Sequence, residues 1–316
     1  MAPVIEVKGL KKYFNTSRGL LHAVDDVTLS IEKGKTLGVV GESGCGKSTL
    51  GRTIIHLLER TEGQILLNGE DISDIKGSAL RKAREKMQII FQDPYSSLDP
   101  RKTIENTIRE PLVVSRKFRK QEIGKITEEI MDLVGIDARL RNSYPHELDG
   151  GRRQRVGIAR ALALNPDFIV CDEPVSALDV SIQAQVLNLL KRLQQQKGLA
   201  YMFVTHDLSV VRHISDDICV MYLGQVVELC PARELFQSPR HPYTQALLSA
   251  IPSVDIHNQS KPEILEGEIT SPINPKPGCR FAARCKYATE ACRQPQKQQE
   301  ISPGHFVRCC RVNEIG

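Results

Sequence analysis

No stretch of the 316 residues approaches the ~18 consecutive apolar positions of a membrane-spanning helix. The opening segment, MAPVIEVKGLKKYF, lacks the apolar core of a secretory signal because charged residues interrupt it every few positions, so we expect the chain to stay in the cytosol. Aromatic residues make up only 5% of the chain, and no basic stripe with interleaved aromatics accompanies the net charge of +5, since the 43 basic and 38 acidic residues are interspersed. A nucleic-acid partner has no support in this pattern. Internal repeats are also missing. What remains is ordinary for a globular protein: 41% hydrophobic and 26% charged residues exclude a disordered or fibrous class. The length suits one large α/β domain with a smaller appendage.

Up to about residue 100, short apolar runs separated by turn signals read as strands, at Val4 to Val7, Thr36 to Val40, Gln64 to Leu67 and Met87 to Phe91. From about 103 to 164 the period becomes helical, with Ile123, Ile126, Ile130 and Leu133 on one face, and we expect an inserted helical subdomain. Strand and helix then alternate: Phe168 to Asp172, a helix marked by Val186, Leu189, Leu190 and Leu193, then Tyr201 to Val204. That order argues for a mostly parallel sheet covered on both faces. After about Ser253 the chain turns rich in proline (Pro262, Pro272, Pro275, Pro277), which reads as a linker into a small irregular tail. We expect one large domain over 1–250 and a linker with a cysteine module over 251–316.

Between a strand and a helix beginning near Lys47 lies Gly41-Glu42-Ser43-Gly44-Cys45-Gly46-Lys47-Ser48-Thr49. Backbone that wraps phosphate with its N–H groups pointing inward adopts conformations a β-carbon would obstruct, hence the glycines. Lys47 supplies a point charge to the β- and γ-phosphates, Ser48 a hydroxyl to Mg²⁺, and the helix its positive end. A bare glycine turn would leave Lys47-Ser48-Thr49 unexplained. Far along the chain, the apolar strand Phe168 to Cys171 ends in Asp172-Glu173. Adjacent carboxylates at the carboxyl end of a buried strand require something cationic opposite. Asp172 suits Mg²⁺ and Glu173 the polarisation of an attacking water. Another buried strand ends in His206; a lone histidine is usually structural, but one at such a strand end beside a nucleotide loop is a functional candidate.

These residues resemble an ABC ATPase over roughly residues 4 to 250. The resemblance implies the family fold: a RecA-like core, an antiparallel β subdomain and a helical subdomain. It also implies roles for further positions. Gln92 matches the Q-loop glutamine, which contacts Mg²⁺ or water and senses the membrane partner. Phe14, or its neighbour Tyr13, matches the aromatic that stacks on adenine. Ser176 to Asp179 matches the D-loop, and Val204 to Asp207 the histidine switch that reaches the γ-phosphate. One motif departs from the pattern. Where the family carries Leu-Ser-Gly-Gly-Gln to bind the opposite subunit's ATP, this chain has Leu148-Asp149-Gly150-Gly151-Arg152. Asp149 puts a carboxylate where a donor facing the phosphate is expected, which repels the phosphate unless Arg152 offsets the charge, or else it simply caps the helix. The altered motif implies an asymmetric heterodimer, in which this chain's own nucleotide site hydrolyses ATP and the partner's site is weak.

Nine cysteines divide into four scattered ones (Cys45, Cys171, Cys219, Cys230) and five within residues 279 to 310. In a reducing compartment such a cluster is more often a metal site than a disulfide framework. His241-Pro242-Tyr243-Thr244-Gln245-Ala246-Leu247-Leu248, with Pro252, resembles the stretch after the ATPase core of oligopeptide, dipeptide and nickel importers, many of which continue into an iron–sulfur module. Here Cys279, Cys285, Cys292 and Cys309, with Cys310 as a substitute for the last, could complete a [4Fe–4S] cluster or a tetrahedral zinc site, or remain free thiols. The expected role is ATP hydrolysis that powers peptide import from the cytoplasmic face of the membrane, with a second ATPase subunit, two transmembrane permease subunits and an extracytoplasmic binding protein. Rival readings are an importer of nickel or another small solute, a non-catalytic regulatory subunit, and a soluble ABC ATPase of nucleic acid or ribosomes. This last type usually carries two cassettes or a long coiled-coil insertion.

Overall fold

The computed structural model describes residues 2–251 and 270–315; the linker proline Pro262, and Pro252 beyond the His241 stretch, lie outside them. In chain order the first elements are β1 (Ile5–Thr16), β2 (Gly19–Ile31), β3 (Thr36–Val40), α1 (Lys47–Ile54), β4 (Glu62–Leu67), β5 (Glu70–Asp71), α2 (Gly77–Lys86) and β6 (Met87–Ile90). Next come α3 (Ile104–Ser115), α4 (Lys120–Val134), α5 (Gly150–Leu162), β7 (Phe168–Asp172), α6 (Val180–Lys197), β8 (Ala200–Val204) and α7 (Leu208–Ile214). The last are β9 (Asp217–Tyr222), β10 (Gln225–Pro231), α8 (Ala232–Gln237), α9 (Pro242–Ser249), β11 (Gln299–Ser302), β12 (His305–Val307) and α10 (Val312–Ile315). No helix among the described residues is long and apolar enough to cross a membrane.

The chain divides into two compact units. The first comprises Met1–Ile5, Ile31–Lys35 and Leu66–Met202. In it β6 and β7 pair in parallel, from Met87↔Phe168 to Ile90↔Cys171. Every residue of β7 is buried, which explains an apolar run without alternation. The expected helical region resolves into α3, α4 and α5, packed on one another. Thr103 caps α3 by accepting from Asn106 N, and Gly135 ends α4 in the left-handed conformation that a β-carbon disfavours.

The second unit comprises Glu6–Ser30, Thr36–Ile65 and Phe203–Gly316. Strand β3, wholly buried, pairs in parallel with β9, from Leu37↔Asp217 to Val40↔Val220. β9 and β10 form an antiparallel pair. Strands β1 and β2 are far longer than the apolar run at Val4 to Val7 suggests, because both are half-exposed ribbons in which polar side chains alternate with the few buried ones.

The tail is less irregular than expected. Its strand β12 pairs with β10 (Glu228↔Val307, Leu229↔Phe306) and β11 pairs with β12. Ahead of that hairpin, Ile273 bridges to Leu21 of β2, and His22 N donates to Pro272 O at 3.0 Å. A tail too poor in apolar residues to build a core instead joins an existing one. Phe281 is buried in a cluster with Tyr222, Tyr243, Val220 and Leu235, against which Cys279 and Cys285 pack. Its ring meets Tyr222 edge-on at 5.3 Å between centroids. At the far end, His305 and Glu228, both fully buried, meet at 2.8 Å, while the other ring nitrogen of His305 lies 2.9 Å from Glu234.

Candidate nucleotide site

In the second unit the loop after β3 has the backbone the sequence demands. Gly41, Gly44 and Gly46 take φ of 149°, 76° and 104°. A β-carbon on Gly46 would lie 2.0 Å from Ala23 O, and one on Gly41 would lie 2.2 Å from Met221 O. Lys47, at the start of α1, is only 5% exposed. Its ammonium donates to Gly41 O at 2.7 Å and Glu42 O at 3.0 Å, so the charge is held inside the curl of the loop. Cys45 is buried there, and burial pushes its thiol above the ordinary value; it is an inert packing residue rather than a nucleophile. Cys45 O accepts from Gly224 N, and Gly224 O from Asp25 N, each at 2.8 Å. Glu42 N donates to the hydroxyl of the buried Tyr243 at 2.9 Å. His206, exposed, follows β8. The next residue, Asp207, caps α7 by accepting from Ser209 N at 2.8 Å.

The two aromatic candidates separate clearly. Tyr13 stacks on His22 at 3.9 Å, and its hydroxyl donates to Asp25. Burial, then that bond to Asp25, pushes the phenol well above the ordinary tyrosine value. Its ring is thus committed within the protein. Phe14 carries the Lys12 ammonium 4.6 Å from its ring centroid and is only partly buried, so Phe14 is the aromatic whose face a base could take over.

In the first unit, β7 delivers Asp172, 1% exposed, and then Glu173. Glu173 has φ of 47°. A left-handed backbone is unusual for a residue with a long side chain and is the kind of strain functional positions hold. Ser176 steadies the turn, its hydroxyl donating to Glu173 O at 3.1 Å. Gln92 Nε2 donates to Glu173 Oε2 at 2.9 Å, which brings the two residues together across the ends of β6 and β7.

The altered motif also lies in this unit. Asp149 is the N-cap of α5, its Oδ1 accepting from Arg152 N at 2.7 Å. Capping is therefore what Asp149 does here. Arg152 Nε lies 3.4 Å from its other oxygen, so Arg152 partly offsets the charge. The glycines have a packing reason that the sequence did not reveal: a β-carbon on Gly151 would meet Ile182 Cγ2 of α6 at 2.6 Å, and one on Gly150 would meet Leu178 at 3.1 Å. Asp179 precedes α6 as its N-cap residue.

None of the nine cysteines is joined in a disulfide. In the tail, Cys292 Sγ lies 3.9 Å from Cys310 Sγ. Burial pushes the Cys279 thiol up to about 12, and Cys292, Cys309 and Cys285 all lie close enough to act on it. The sequence had not singled out the arginines beside these cysteines. Arg280 bonds Asp25 and Leu223 O; Arg284 Nη1 donates to both carboxylate oxygens of Glu42 at 3.0 Å; Arg308 Nη2 donates to Asp26 Oδ2 at 3.1 Å. No local pattern marks such pairs. A second group the sequence reading missed is Glu228, Cys230 and His305, whose ligand-type atoms lie within 4.8 Å of one another among the described residues. Hydrogen bonds already occupy both ring nitrogens of His305.

Comparison with known proteins matches residues 24–176 to the ABC transporter family and residues 227–292 to the C-terminal region of oligopeptide/dipeptide transporters. The chain is 50% identical over 317 residues to the oligopeptide transport ATP-binding protein AppF of Bacillus subtilis, covering 97% of this chain and 96% of that protein. It is 48% identical to the oligopeptide transport ATP-binding protein OppF of Salmonella typhimurium, covering 99% and 97%. Among solved structures, the ATP-binding cassette MJ0796 in a dimeric, post-hydrolysis state bound to ADP and Pi superposes with a TM-score of 0.66 at 31% identity, over 72% of this chain and 99% of that one. The structure of cbiO1 of Clostridium perfringens, part of the ABC transporter complex cbiONQ, gives 0.68 at 28%, over 75% and 92%.

Proposed function

Because this chain belongs to the ATP-binding subunits of ABC transporters of the oligopeptide/dipeptide type, we propose that it hydrolyses ATP to power peptide import through permease subunits that are separate chains. It would work at the cytoplasmic face of the membrane, paired with a second ATPase subunit and served by an extracytoplasmic binding protein. The ATPase domain is taken as 1–250, with its helical subdomain at about 103–164, and 251–316 as linker and cysteine module.

The observation that carries the hydrolytic part is the bond between Gln92 and Glu173. The loop amides from Gly41 to Thr49, with Ser43, Gly44, Cys45 and Gly46, would cradle the phosphates. Lys47 would exchange its loop carbonyls for phosphate oxygens, and Phe14 would stack on adenine. The hydroxyl of Ser48, the amide oxygen of Gln92 and the buried carboxylate of Asp172 are hard oxygen donors of the kind Mg²⁺ takes. Mg²⁺ bound with ATP would neutralise charge on the β- and γ-phosphates. Glu173 polarises the attacking water, and His206 steadies the γ-phosphate. Phosphoryl transfer asks chiefly for such positioning and neutralisation. Asp149, Gly150, Gly151 and Arg152, with Ser176 and Asp179, would face the partner's nucleotide. The Asp149 carboxylate, although it caps α5, makes that site the weaker of two. The test is phosphate release by the assembled complex with Glu173→Gln in this chain alone. Near-complete loss supports the asymmetric reading, and substantial retained activity overturns it.

For the tail we favour a [4Fe–4S] cluster held by Cys279, Cys285, Cys292 and Cys309 over zinc. A zinc ion with Zn–S bonds of about 2.3 Å draws its four sulfurs within roughly 4 Å of each other. No three of the tail thiols lie within 4.8 Å of one another among the described residues. A larger cluster suits that spacing, with Cys310 near Cys292 as the alternative fourth ligand. Its contribution would be to fix the tail rather than to take part in hydrolysis. Anaerobically purified protein should absorb broadly near 400 nm and contain iron; zinc without that band would overturn this assignment.

A further inference from the structure

The phosphate loop carries a carboxylate. Glu42 sits directly after Gly41, in a loop whose exposed amides attract anions. A carboxylate there repels an incoming polyphosphate unless something neutralises it. Arg284 does so with a guanidinium nitrogen 3.0 Å from each Glu42 oxygen, its own side chain only 8% exposed. A charge-assisted bond from so enclosed a guanidinium is stronger than a surface ion pair and is screened less by salt. The other end of the loop is tied to the same tail segment. Arg280 bonds both the carboxylate of Asp25 and the carbonyl of Leu223. Asp25 N donates to Gly224 O, and Gly224 N donates to Cys45 O. Both arginines lie between Cys279 and Cys285, and Phe281 between them is sunk in the core beside Tyr243, the residue that accepts from Glu42 N.

We propose that Arg284 and Arg280 are positioning residues of the nucleotide site, so that the cysteine tail is a working part of the ATP site rather than an appendage. Arg284 cancels and directs the Glu42 charge, and Arg280 sets the position of Cys45 through Asp25 and Gly224. This rests on the reading that the loop from Gly41 to Thr49 binds ATP.

The experiment measures binding of a fluorescent ATP analogue to the full chain. Arg284→Gln should raise Kd on the order of tenfold. Arg284→Lys, which keeps the charge but not the planar fork, should recover part of that loss. The decisive arm is the double variant Arg284→Gln/Glu42→Gln. If Arg284 acts by neutralising Glu42, removing both charges restores affinity close to wild type, an outcome that a merely structural role would not produce. Unchanged affinity in Arg284→Gln, or a double variant at least as weak as the single one, would overturn the proposal. Should Arg284→Gln fail to fold, Arg284→Lys alone decides, because its affinity must fall between about wild type and tenfold weaker and must lose its deficit when combined with Glu42→Gln. A wild-type chain that binds no nucleotide would sink the functional reading instead.

Discussion

Gln92 and Glu173 share a hydrogen bond of 2.9 Å, with the amide nitrogen of Gln92 donating to Glu173 Oε2. The bond occupies one of the acceptor positions of the Glu173 carboxylate and leaves others that a water could engage. Glu173→Gln keeps the shape of the contact and removes the basicity. Phosphate release should fall at least about a hundredfold, within the range for loss of a general base. Nucleotide affinity should stay within about twofold, since the phosphate loop is untouched. Single-turnover phosphate release beside equilibrium binding checks both.

Asp149 separates a cap from a charge. Asp149→Ser retains a side-chain acceptor for Arg152 N and should leave stability within about 0.5 kcal/mol, whereas Asp149→Ala should cost about 1 kcal/mol. Denaturant melts compare the two. In the assembled transporter Asp149→Ser should raise turnover at the partner's nucleotide; unchanged or lower turnover would remove the case for a handicapped site.

The glycines of the phosphate loop should not respond alike. Gly44 has a left-handed φ of 76° but open space around its β-carbon position, so Gly44→Ala should cost about 1–2 kcal/mol. Gly46 has a left-handed φ as well and a carbonyl 2.0 Å from any β-carbon. Gly46→Ala should displace the start of α1, cost upwards of about 3 kcal/mol and abolish ATP binding. Thermal unfolding with and without nucleotide distinguishes them.

The contact of His305 with Glu228 and Glu234 predicts how stability follows pH. Burial disfavours the charged imidazole, but its bonds to Glu228 and Glu234 outweigh burial, and the net effect raises its pKa. Burial likewise opposes charge on Glu228, but the bonds from His305 and from the Arg240 and His241 amides lower its pKa. A raised histidine stabilises fully below its unfolded value of about 6.5 and loses that contribution as pH climbs through the folded value. A lowered carboxylate stabilises above its unfolded value of about 4.3 and loses that contribution as pH falls through the folded one. The melting temperature should therefore peak between about pH 5 and pH 6.5 for this network. The gap between wild type and His305→Gln should narrow as pH rises beyond it. A gap independent of pH would sink the assignment.

Much of the candidate nucleotide site could be placed on its elements directly, because its residues are contiguous at strand ends. The glycine pattern with Lys47, the carboxylates after β7, and His206 after β8 each announce themselves within a few positions. Helix α4 followed from period, and the helical region around it was expected without its separate helices. Strand β2 escaped notice because a half-exposed ribbon buries few side chains. Phe14 and Tyr13 are adjacent in sequence, and only the stacking of His22 on Tyr13 separates them. The pairing of Arg284 with Glu42 depends on folding that brings residues 242 positions apart together, and no local spacing encodes it.

The same separation sets an order of events during synthesis. Glu42 is made early, but Arg284 and the Arg308 partner of Asp26 follow 242 and 282 residues later. A chain still emerging from the ribosome carries the phosphate loop without the cation that balances its carboxylate. With the Glu42 charge unbalanced, a chain that ends before Arg284 should bind ATP more weakly than the finished chain.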